Sequence, residues 1–383
     1  MNENRLKLKK IEMNGYKSVN SGGQSIEFGD VTVLLGANGA GKSNLVSFFK
    51  LLNFMTTSHL QLFVGQQGYA ESLLYYGAKT TPVMRAKLSF EDDKANQYGY
   101  DFILTHASGD SLIFSGEDVT CHPYQKSKPF TIALGAGHNE SKLPERAKLI
   151  QDAKESKYCH IVLNLLQECR VYQFHDTSNL AKIRNYGYIG DNEYLRGDAG
   201  NLAALLHVLQ NRQEWEIYYQ RIIRHIRQII PQFSDFILKP SPLNNNQIRL
   251  DWKESDSDYR FGPHQLSDGS LRFMAMATLL LQPPALMPGA ILIDEPELGL
   301  HPVAISALAG MIQSASEYSQ IIIATQSPRL VDEFETKDIV VVERDEKKKC
   351  SIFKKLDELE LKEWLERYTL SELWEKNIFG GRP

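Results

Sequence analysis

The sequence predicts an α/β protein with a mainly parallel core sheet, an antiparallel β subdomain and a helical insertion. Three observations lead to this fold class. Short apolar strands alternate with helices near both ends of the 383-residue chain, as in a parallel sheet covered by helices. Between Val83 and Val119, short alternating segments broken by polar turns indicate antiparallel hairpins. From about Leu143 to Ile237 the apolar spacing is mainly helical.

These patterns divide the chain into four parts. Residues 1–130 are the N-terminal half of the core with the hairpins, 131–245 a mainly helical insertion lobe, 246–345 the C-terminal half of the core and 346–383 a C-terminal tail. Strands are expected at Leu6–Met13, Ser25–Phe28, Val31–Leu35, Gln247–Trp252, Ala290–Ile293, Gln320–Ala324 and Ile339–Val342. Helices are expected at about Ser43–Leu52, Gly269–Leu281 and Val303–Ala315.

Composition and charge exclude several classes of protein. With 43 basic and 47 acidic side chains the net charge is −4, so any DNA contact must be local. The four cysteines stand far apart, without the spacing of a zinc site or disulfide framework, which fits a reducing cytoplasm. No secretion signal is evident, and the longest apolar stretch, around Met274–Leu281, is far shorter than the roughly 18 residues that cross a bilayer. We expect a cytoplasmic protein that does not enter the membrane.

A glycine-rich loop follows the strand Val31–Leu35 and precedes a helix. Its residues are Gly36-Ala37-Asn38-Gly39-Ala40-Gly41-Lys42-Ser43, which fit G-x-x-x-x-G-K-[ST] in full. In such a P-loop, glycines let backbone N–H groups surround phosphates, and the helix N-terminus adds its positive end. Lys42 is predicted to reach the β and γ phosphates of a nucleotide, and Ser43 to offer its hydroxyl to Mg²⁺.

Two consecutive acids end the apolar strand before Pro296. Asp294 is predicted to act on Mg²⁺, directly or through water, and Glu295 to polarise the attacking water as general base. Two acids at this place could instead cap the next helix. Their occurrence in the same chain as the P-loop favours the catalytic interpretation.

A short polar loop, Leu266–Ser270, leads into the helix ahead of that strand. A helix N-terminus of this kind can bind an anion, although Ser-Asp-Gly is also an ordinary turn and helix cap. With this loop added to the P-loop and the two acids, the chain resembles ABC-type ATPases, and among them the group that contains SMC, RecF and OLD-type proteins. The resemblance rests on G-A-N-G-A-G-K-S-N at 36–44, L-S-D-G-S at 266–270 and D-E-P-E-L-G-L-H-P at 294–302.

The resemblance implies a P-loop NTPase fold of the ABC-head type that uses ATP and Mg²⁺. It implies that Ser267 and Gly269 bind the γ phosphate of an ATP held by the P-loop of a second copy, so that the active form is a homodimer. The nucleotide-binding residues of the first copy are then Gly36, Asn38, Gly39, Ala40, Gly41, Lys42, Ser43 and Asn44.

The chain departs from the family pattern at several positions. Gln326 stands where a histidine switch residue is commoner; it can bond a phosphate but cannot take up a proton, and Asp268 replaces a glycine. His301 stands where transporter ATPases have an aspartate, although it can also simply cap a helix. Gln66 and Gln67 are candidates for the glutamine loop because they follow the P-loop helix.

The chain resembles a compact bacterial subgroup of this class, without a long coiled coil or an appended nuclease domain. The loop Gly197–Leu202 and the segment Asn377–Pro383 carry that likeness. Any nuclease that acts with the chain is therefore expected to be a separate subunit. An amphipathic helix around Glu214–Ile230 places Arg221, Arg224 and Arg227 on one side, where they could grip phosphates or form an ordinary solvated face.

Two functions remain open at this level. In the first, ATP clamps two heads together and hydrolysis releases them, which gates DNA or an effector in DNA repair or anti-phage defence. In the second, the chain is a nucleotide-dependent scaffold or sensor with marginal turnover, because Gln326 replaces the usual switch residue. The Glu295→Gln substitution separates them, since only the first predicts a trapped dimer and a large kinetic loss.

Overall fold

A computed structural model gives the fold and describes residues 5–124, 128–149 and 153–382. The chain forms two compact units, which we call unit 1 (Met1–Arg170 with Glu335–Pro383) and unit 2 (Val171–Phe334). The four-part division made from sequence patterns stays a prediction. In residues 5–124, 128–149 and 153–382, we find no helix with the length and apolarity that a bilayer-spanning segment requires.

Runs of strands and runs of helices follow one another in the first part of the chain, and single strands and helices alternate between residues 268 and 345. The strands are β1 Lys7–Asn14, β2 Gln24–Glu27, β3 Val31–Leu35, β4 Val83–Glu91, β5 Gln97–Ala107, β6 Ser111–His122, β7 Phe130–Gly135, β8 Cys169–Tyr172, β9 Gly187–Tyr188, β10 Phe233–Ile237, β11 Gln247–Ile248, β12 Asp251–Glu254, β13 Ala290–Asp294, β14 Gln320–Thr325, β15 Ile339–Asp345 and β16 Cys350–Lys355. The α-helices are α1 Lys42–Thr56, α2 Leu60–Gln66, α3 Tyr69–Leu73, α4 Leu143–Arg146, α5 Ala153–Gln167, α6 Leu202–Asn211, α7 Glu216–Ile229, α8 Asp268–Leu281, α9 Pro302–Ser316, α10 Pro328–Val331, α11 Glu358–Leu365 and α12 Leu370–Glu375.

Unit 1 contains the predicted antiparallel subdomain. Its sheet has the strand order β2-β1-β4-β5-β6-β7, and each neighbouring pair is antiparallel. Inward-facing positions alternate along β4 and β6, as expected for a sheet with one buried face. The hairpins expected between Val83 and Val119 are therefore confirmed.

The strand that leads into the P-loop also lies in unit 1. All five residues of β3 are buried, and β3 pairs in parallel with β15 through Val33 and Ile339. A strand buried on both faces reads as a continuous apolar run, which is why Val31–Leu35 is visible in the sequence. β15 turns back into β16 as an antiparallel hairpin, and this places the P-loop at the carboxyl end of a fixed strand.

Unit 2 contains the second parallel pair. β13 and β14 pair in register from Ala290 with Gln320 to Asp294 with Ala324, and every residue of both strands is buried. Helices α7 and α9 both pack against α8, which is apolar along most of its length. The carboxyl ends of β13 and β14 consequently lie side by side, and the residues after them, Glu295 and Gln326, are brought together.

One predicted strand is divided in the structure. Gln247–Trp252 is split between β11, which pairs with β9, and β12, which pairs with β10. The break lies at Arg249, whose carbonyl accepts a hydrogen bond from the N–H of Asp251 in a tight turn. The fully buried Asp251 carboxylate then binds both Arg249 and Arg260, so the polar residues at this point hold a bend.

Candidate active site

The P-loop of unit 1 owes its shape to backbone conformation. Gly39 and Gly41 have φ angles of 78° and 122°, in the region that favours glycine, and α1 begins directly afterwards at Lys42. A Cβ at Gly41 would lie 2.9 Å from the Cβ of Ser351 on β16, so this glycine is also required for space. The first N–H groups of α1 have no acceptor within the helix, as a phosphate site requires.

Lys42 is held inside this loop. Its side chain is buried, and its ammonium donates to the carbonyl oxygens of Gly36 at 2.6 Å and Ala37 at 2.9 Å. These oxygens stand in for the acceptors that a phosphate would offer. Asn38 and Ser43 are exposed, as is expected of residues that contact a ligand. The site can therefore present one fixed positive charge and a hydroxyl to an anion.

Asn44 makes a contact that its motif does not reveal. Its side-chain amide donates to the hydroxyl of Ser18 at 2.7 Å, and the hydroxyl of Ser351 lies within hydrogen-bond distance of the same Ser18 and of the carbonyl of Ala40. This serine pair supports the P-loop from behind. A nucleotide contact by Asn44 stays a prediction.

Asp294 ends β13 in unit 2 and is buried. Its Oδ2 accepts a hydrogen bond from the amide of Gln173 at 2.7 Å, and its backbone carbonyl bonds the ring of His175 at 3.0 Å. Its Oδ1 is buried and finds no hydrogen-bond partner among the residues that the structure describes. A buried carboxylate oxygen without a partner is costly, and a cation would satisfy it.

Glu295 follows with a strained backbone. Its φ is 47°, in the left-handed region that non-glycine residues rarely adopt and that clusters at functional sites. Its N–H donates to the carbonyl of Ala324, and its carboxylate accepts from the amide of Gln326 at 3.2 Å. The two predicted catalytic residues of unit 2, Glu295 and Gln326, are thus in direct contact.

A third acid lies beside them. Glu297 accepts hydrogen bonds from the hydroxyl of Thr325 at 2.5 Å and from the backbone of Gln326 at 3.4 Å. Burial raises the pKa of Glu297 above its ordinary value, and the neighbouring charge of Glu295 adds to this, while the hydrogen bonds oppose it. The carboxylates of Glu295 and Glu297 therefore connect the chain after β13 to Thr325 and Gln326 at the end of β14.

The loop before α8 is held in a conformation that exposes Ser267. Its hydroxyl oxygen caps the helix by accepting from the N–H of Ser270 at 3.1 Å. A Cβ at Gly269 would overlap the carbonyl oxygen of Gly299, so only glycine fits between the two loops. The hydroxyl of Ser267 also donates its proton to the side chain of Ser270 at 2.8 Å.

His301 caps a helix. It is the residue before α9, and its ring accepts from the N–H of Val303 at 3.3 Å. This agrees with the simpler of its two interpretations.

Comparison with known families bears on these motifs. A family model described as an AAA domain matches residues 10–234, more than half of the chain. The chain belongs to the AAA domain family. A second AAA domain model, whose description names the AbiEii toxin and a type IV TA system, matches residues 206–332. No curated protein matches the chain by sequence.

The fold of this AAA domain protein is that of SMC heads. The crystal structure of the SmcHead bound to the C-winged helix domain of ScpA matches with a TM-score of 0.59 and 14% identity, over 93% of this chain and 99% of that one. An Smc head domain with an extended coiled coil, bound to the C-terminal domain of ScpA from Pyrococcus furiosus, matches with a TM-score of 0.56 and 16% identity, over 94% and 99%. The predicted P-loop NTPase fold and the resemblance to ABC-type, SMC-like ATPases are confirmed.

Within this AAA domain protein, Asp268 has a dedicated counterion. The buried guanidinium of Arg184 donates to Asp268 at 2.7 Å and also to the carbonyl oxygens of Thr177, Pro263 and Leu266. A hydrogen bond from Thr177 and the charge and hydrogen bond of Arg184 lower the pKa of the exposed Asp268 carboxyl. The side chain of Asp268, the acid that stands where the family has a glycine, is therefore held in one orientation by Arg184.

Arg272 on α8 makes a second link. Its guanidinium donates to the carbonyl oxygens of Phe174 at 3.0 Å, His175 at 2.9 Å and Leu298 at 3.2 Å. It thus connects three parts of unit 2: the segment after β8, helix α8, and the loop that follows Asp294 and Glu295. These three regions of unit 2 cannot move independently without breaking bonds to one guanidinium.

Sequence reasoning missed Gln173, Arg184, Arg272 and Glu297. Gln66 and Gln67 are the sequence candidates for the glutamine loop, and the carboxamide of Gln67 accepts from Lys17 in unit 1. Gln173 is the glutamine that bonds Asp294, and its signal was its place directly after the strand-like Cys169–Tyr172. Arg184 lies outside the quoted motifs and Arg272 lies on α8 just after one of them, and the bonding partners of both are revealed only by the three-dimensional structure.

Proposed function

We propose that the chain binds and hydrolyses ATP, and that two copies meet head to head around ATP so that the cycle gates DNA or a partner effector in DNA repair or anti-phage defence. The observation that carries the proposal is the end of β13. There Asp294 keeps a buried oxygen without a partner among the described residues, and Glu295 presents a carboxylate next to Gln326. A metal-side acid and a proton acceptor in sequence are what hydrolysis of a phosphoanhydride requires.

Mg²⁺ fits the residues present. Asp294 offers the unpartnered Oδ1 and Ser43 an exposed hydroxyl, and hard oxygen ligands of this kind are the ones that Mg²⁺ prefers. When bound, Mg²⁺ neutralises charge on the phosphates. Gln173 would orient Asp294 by holding its Oδ2, which keeps Oδ1 directed away from that bond.

Lys42 would bind the β and γ phosphates by donating hydrogen bonds from its ammonium to phosphate oxygens. The backbone N–H groups from Gly39 to Ser43 would surround the phosphates. Glu295 would take a proton from the attacking water, and its strained φ keeps the carboxylate at the strand end. Gln326 would orient that water by its amide, because it bonds the same carboxylate at 3.2 Å.

The head-to-head arrangement draws support from α8. This helix is 14 residues long, begins beside the exposed Ser267, and cannot accept a side chain at Gly269. These features suit close approach of a γ phosphate held by a second copy. Leu298, whose carbonyl accepts from Arg272 of α8, is 38% exposed and offers apolar surface that a second copy would cover.

The effector is expected to be a separate protein. The two SMC heads reported above are each bound to a domain of ScpA, which supports a protein partner in general terms. A DNA contact would have to be local: on α7, Arg224 is exposed, whereas Arg227 is engaged with the carbonyl of Ser234. DNA therefore ranks behind a protein effector.

A scaffold or sensor with marginal turnover is the second candidate. The amide of Gln326 occupies one oxygen of Glu295, the group that must accept a proton, and glutamine itself cannot carry one. On this view ATP binding stabilises the dimer and hydrolysis is slow.

The test is ATP turnover and particle mass for wild type and Glu295→Gln, with and without DNA. Glu214→Gln, at an exposed position, is the matched control. We expect turnover to fall roughly 100- to 10,000-fold in Glu295→Gln, with a stable ATP-bound dimer. Slow turnover that Glu295→Gln leaves unchanged would favour the scaffold. Wild-type monomers without turnover under every condition would contradict both dimer-based functions.

A further inference from the structure

A glycine segment, Phe379–Arg382, lies against the P-loop in unit 1. Gly380 and Gly381 have φ angles of 87° and 78°. A Cβ at Gly380 would lie 2.5 Å from a carboxylate oxygen of Glu343, and one at Gly381 would lie 2.6 Å from the Cγ1 of Val341. Both backbone conformation and space therefore require glycine at these two positions.

The segment is anchored on both sides. The N–H of Gly381 donates to Glu343 on β15 at 3.3 Å, while Phe379 and Trp374 are buried nearby in sequence. On its other side, the carbonyl oxygen of Gly381 accepts a hydrogen bond from the N–H of Ala37 at 3.0 Å. The glycine segment thus connects β15 to the second residue of the P-loop.

The hydrogen bond to Ala37 acts on one peptide group. The N–H of Ala37 and the carbonyl of Gly36 belong to the same peptide plane, and in a trans peptide they point in opposite directions. The carbonyl of Gly36 accepts from the ammonium of Lys42 at 2.6 Å. Holding the N–H toward Gly381 therefore turns the carbonyl toward Lys42.

We propose that Gly381 is a positioning residue of the nucleotide site, whose carbonyl fixes the Gly36–Ala37 peptide and through it the ammonium of Lys42. This inference rests on the proposed function in that it takes the P-loop to bind ATP. Without the bond, the Gly36–Ala37 peptide can rotate, and Lys42 loses an acceptor that keeps its side chain extended across the loop. Nucleotide affinity falls because the loop must then be ordered by the nucleotide itself.

The experiment is titration of the full chain with a fluorescent ATP analogue and Mg²⁺. We expect Gly381→Ala to raise Kd about three- to tenfold, the range that corresponds to the net loss of one hydrogen bond. Glu343→Ala, which removes the acceptor of the Gly381 N–H, is expected to act in the same direction, and it serves if Gly381→Ala does not fold. Gly65→Ala is the matched control, since a Cβ there meets nothing within 4 Å.

A second measurement, hydrogen exchange, distinguishes a residue that positions the P-loop from one that only stabilises the fold. Hydrogen exchange of a peptide covering residues 36–42 is expected to be faster in Gly381→Ala and Glu343→Ala, and unchanged in Gly65→Ala. A lowered unfolding midpoint with wild-type Kd and wild-type exchange would overturn the inference. If wild type binds ATP but neither dimerises nor hydrolyses it, the proposed function fails while the Kd comparison still decides this one. Wild type that binds no ATP overturns both.

Discussion

The P-loop of unit 1 and the acid-bearing strand end of unit 2 are built in different ways. In the P-loop, the shape comes from backbone: two left-handed glycines, a helix start and carbonyl oxygens around Lys42. At the end of β13, the shape comes from side chains that are distant in sequence, since Asp294 and Glu295 are held by Gln173 and Gln326.

This difference indicates which substitutions each region can and cannot tolerate. A backbone-built loop tolerates change at positions that contribute only N–H groups, but fails where glycine or the one charge is lost. A site built from side chains depends on every hydrogen-bond partner, including those without chemistry of their own. Single substitutions in the two regions therefore test whether each is built in this way.

Among the substitutions in the two regions that act on ligand binding, the largest effect is expected at Lys42, the only charge that the P-loop sequence itself supplies. Lys42→Ala should weaken ATP binding by on the order of 100-fold, because a desolvated charge pair with phosphate is removed. Equilibrium titration with ATP and Mg²⁺ measures this. Lys79→Ala, at an exposed site of the same unit, should leave the Kd unchanged. Equal losses in both variants would indicate a general electrostatic effect and would remove the special role of the loop.

The next effect concerns the partner of Asp294. Gln173→Leu removes the amide that holds Oδ2, so the carboxylate can rotate and its affinity for Mg²⁺ should fall about tenfold, as is usual when an outer hydrogen bond to a metal ligand is lost. Turnover against Mg²⁺ concentration reports this as a shift of the midpoint. Gln228→Leu, at an exposed position on α7, is the control. An unchanged Mg²⁺ midpoint in Gln173→Leu would show that Asp294 needs no orienting partner.

A smaller effect is expected for the pair of Arg184 and Asp268. Asp268→Asn keeps a hydrogen-bond acceptor for the buried Arg184 and should weaken ATP-dependent dimerisation only about two- to fivefold, because the Asp268 carboxylate itself is exposed to solvent. Arg184→Gln should cost more, because it also leaves the carbonyl oxygens of Pro263 and Leu266 without a donor. Sedimentation with ATP measures both, and the double variant completes the cycle. Strict additivity would mean that the two side chains do not act together.

The comparison also explains what could be predicted from sequence. The P-loop is written in eight consecutive residues, and β3 is a buried strand whose apolar run is continuous, so loop, strand and helix were placed correctly. The acids follow an equally continuous strand, β13. Patterns of consecutive residues like these predict a strand, loop or helix without knowledge of the rest of the fold.

The remaining contacts could not be predicted because they join distant positions. Gln173 and Asp294 are 121 residues apart, and Arg184 and Asp268 are 84 apart. No periodicity links such pairs. Gln247–Trp252 was predicted as one strand because its apolar alternation is regular, yet a buried Asp251 with two arginine partners bends the chain there. Side-chain hydrogen bonding overrode strand propensity.

The smallest effect is expected for Glu297, which bonds Thr325 and carries a raised pKa because it is buried. A raised folded-state pKa means that the folded protein binds more protons than the unfolded chain between the two pKa values. Stability from this group is therefore gained as pH falls through that window, and above it the ionised carboxylate carries a desolvation cost. Its Oε2 is buried without a hydrogen-bond partner among the described residues, consistent with that cost.

Glu297→Gln removes the charge and keeps an acceptor for Thr325. We expect the unfolding midpoint at neutral pH to rise by roughly 1–3 °C, and the difference from wild type to shrink as the pH is lowered and Glu297 becomes protonated. Glu333→Gln, which keeps an acceptor for Ser306, is the matched control for the substitution itself. A stability gain in Glu297→Gln that persists at low pH would mean that packing, and not the buried charge, sets the effect, so that this end of unit 2 depends on shape as the P-loop does.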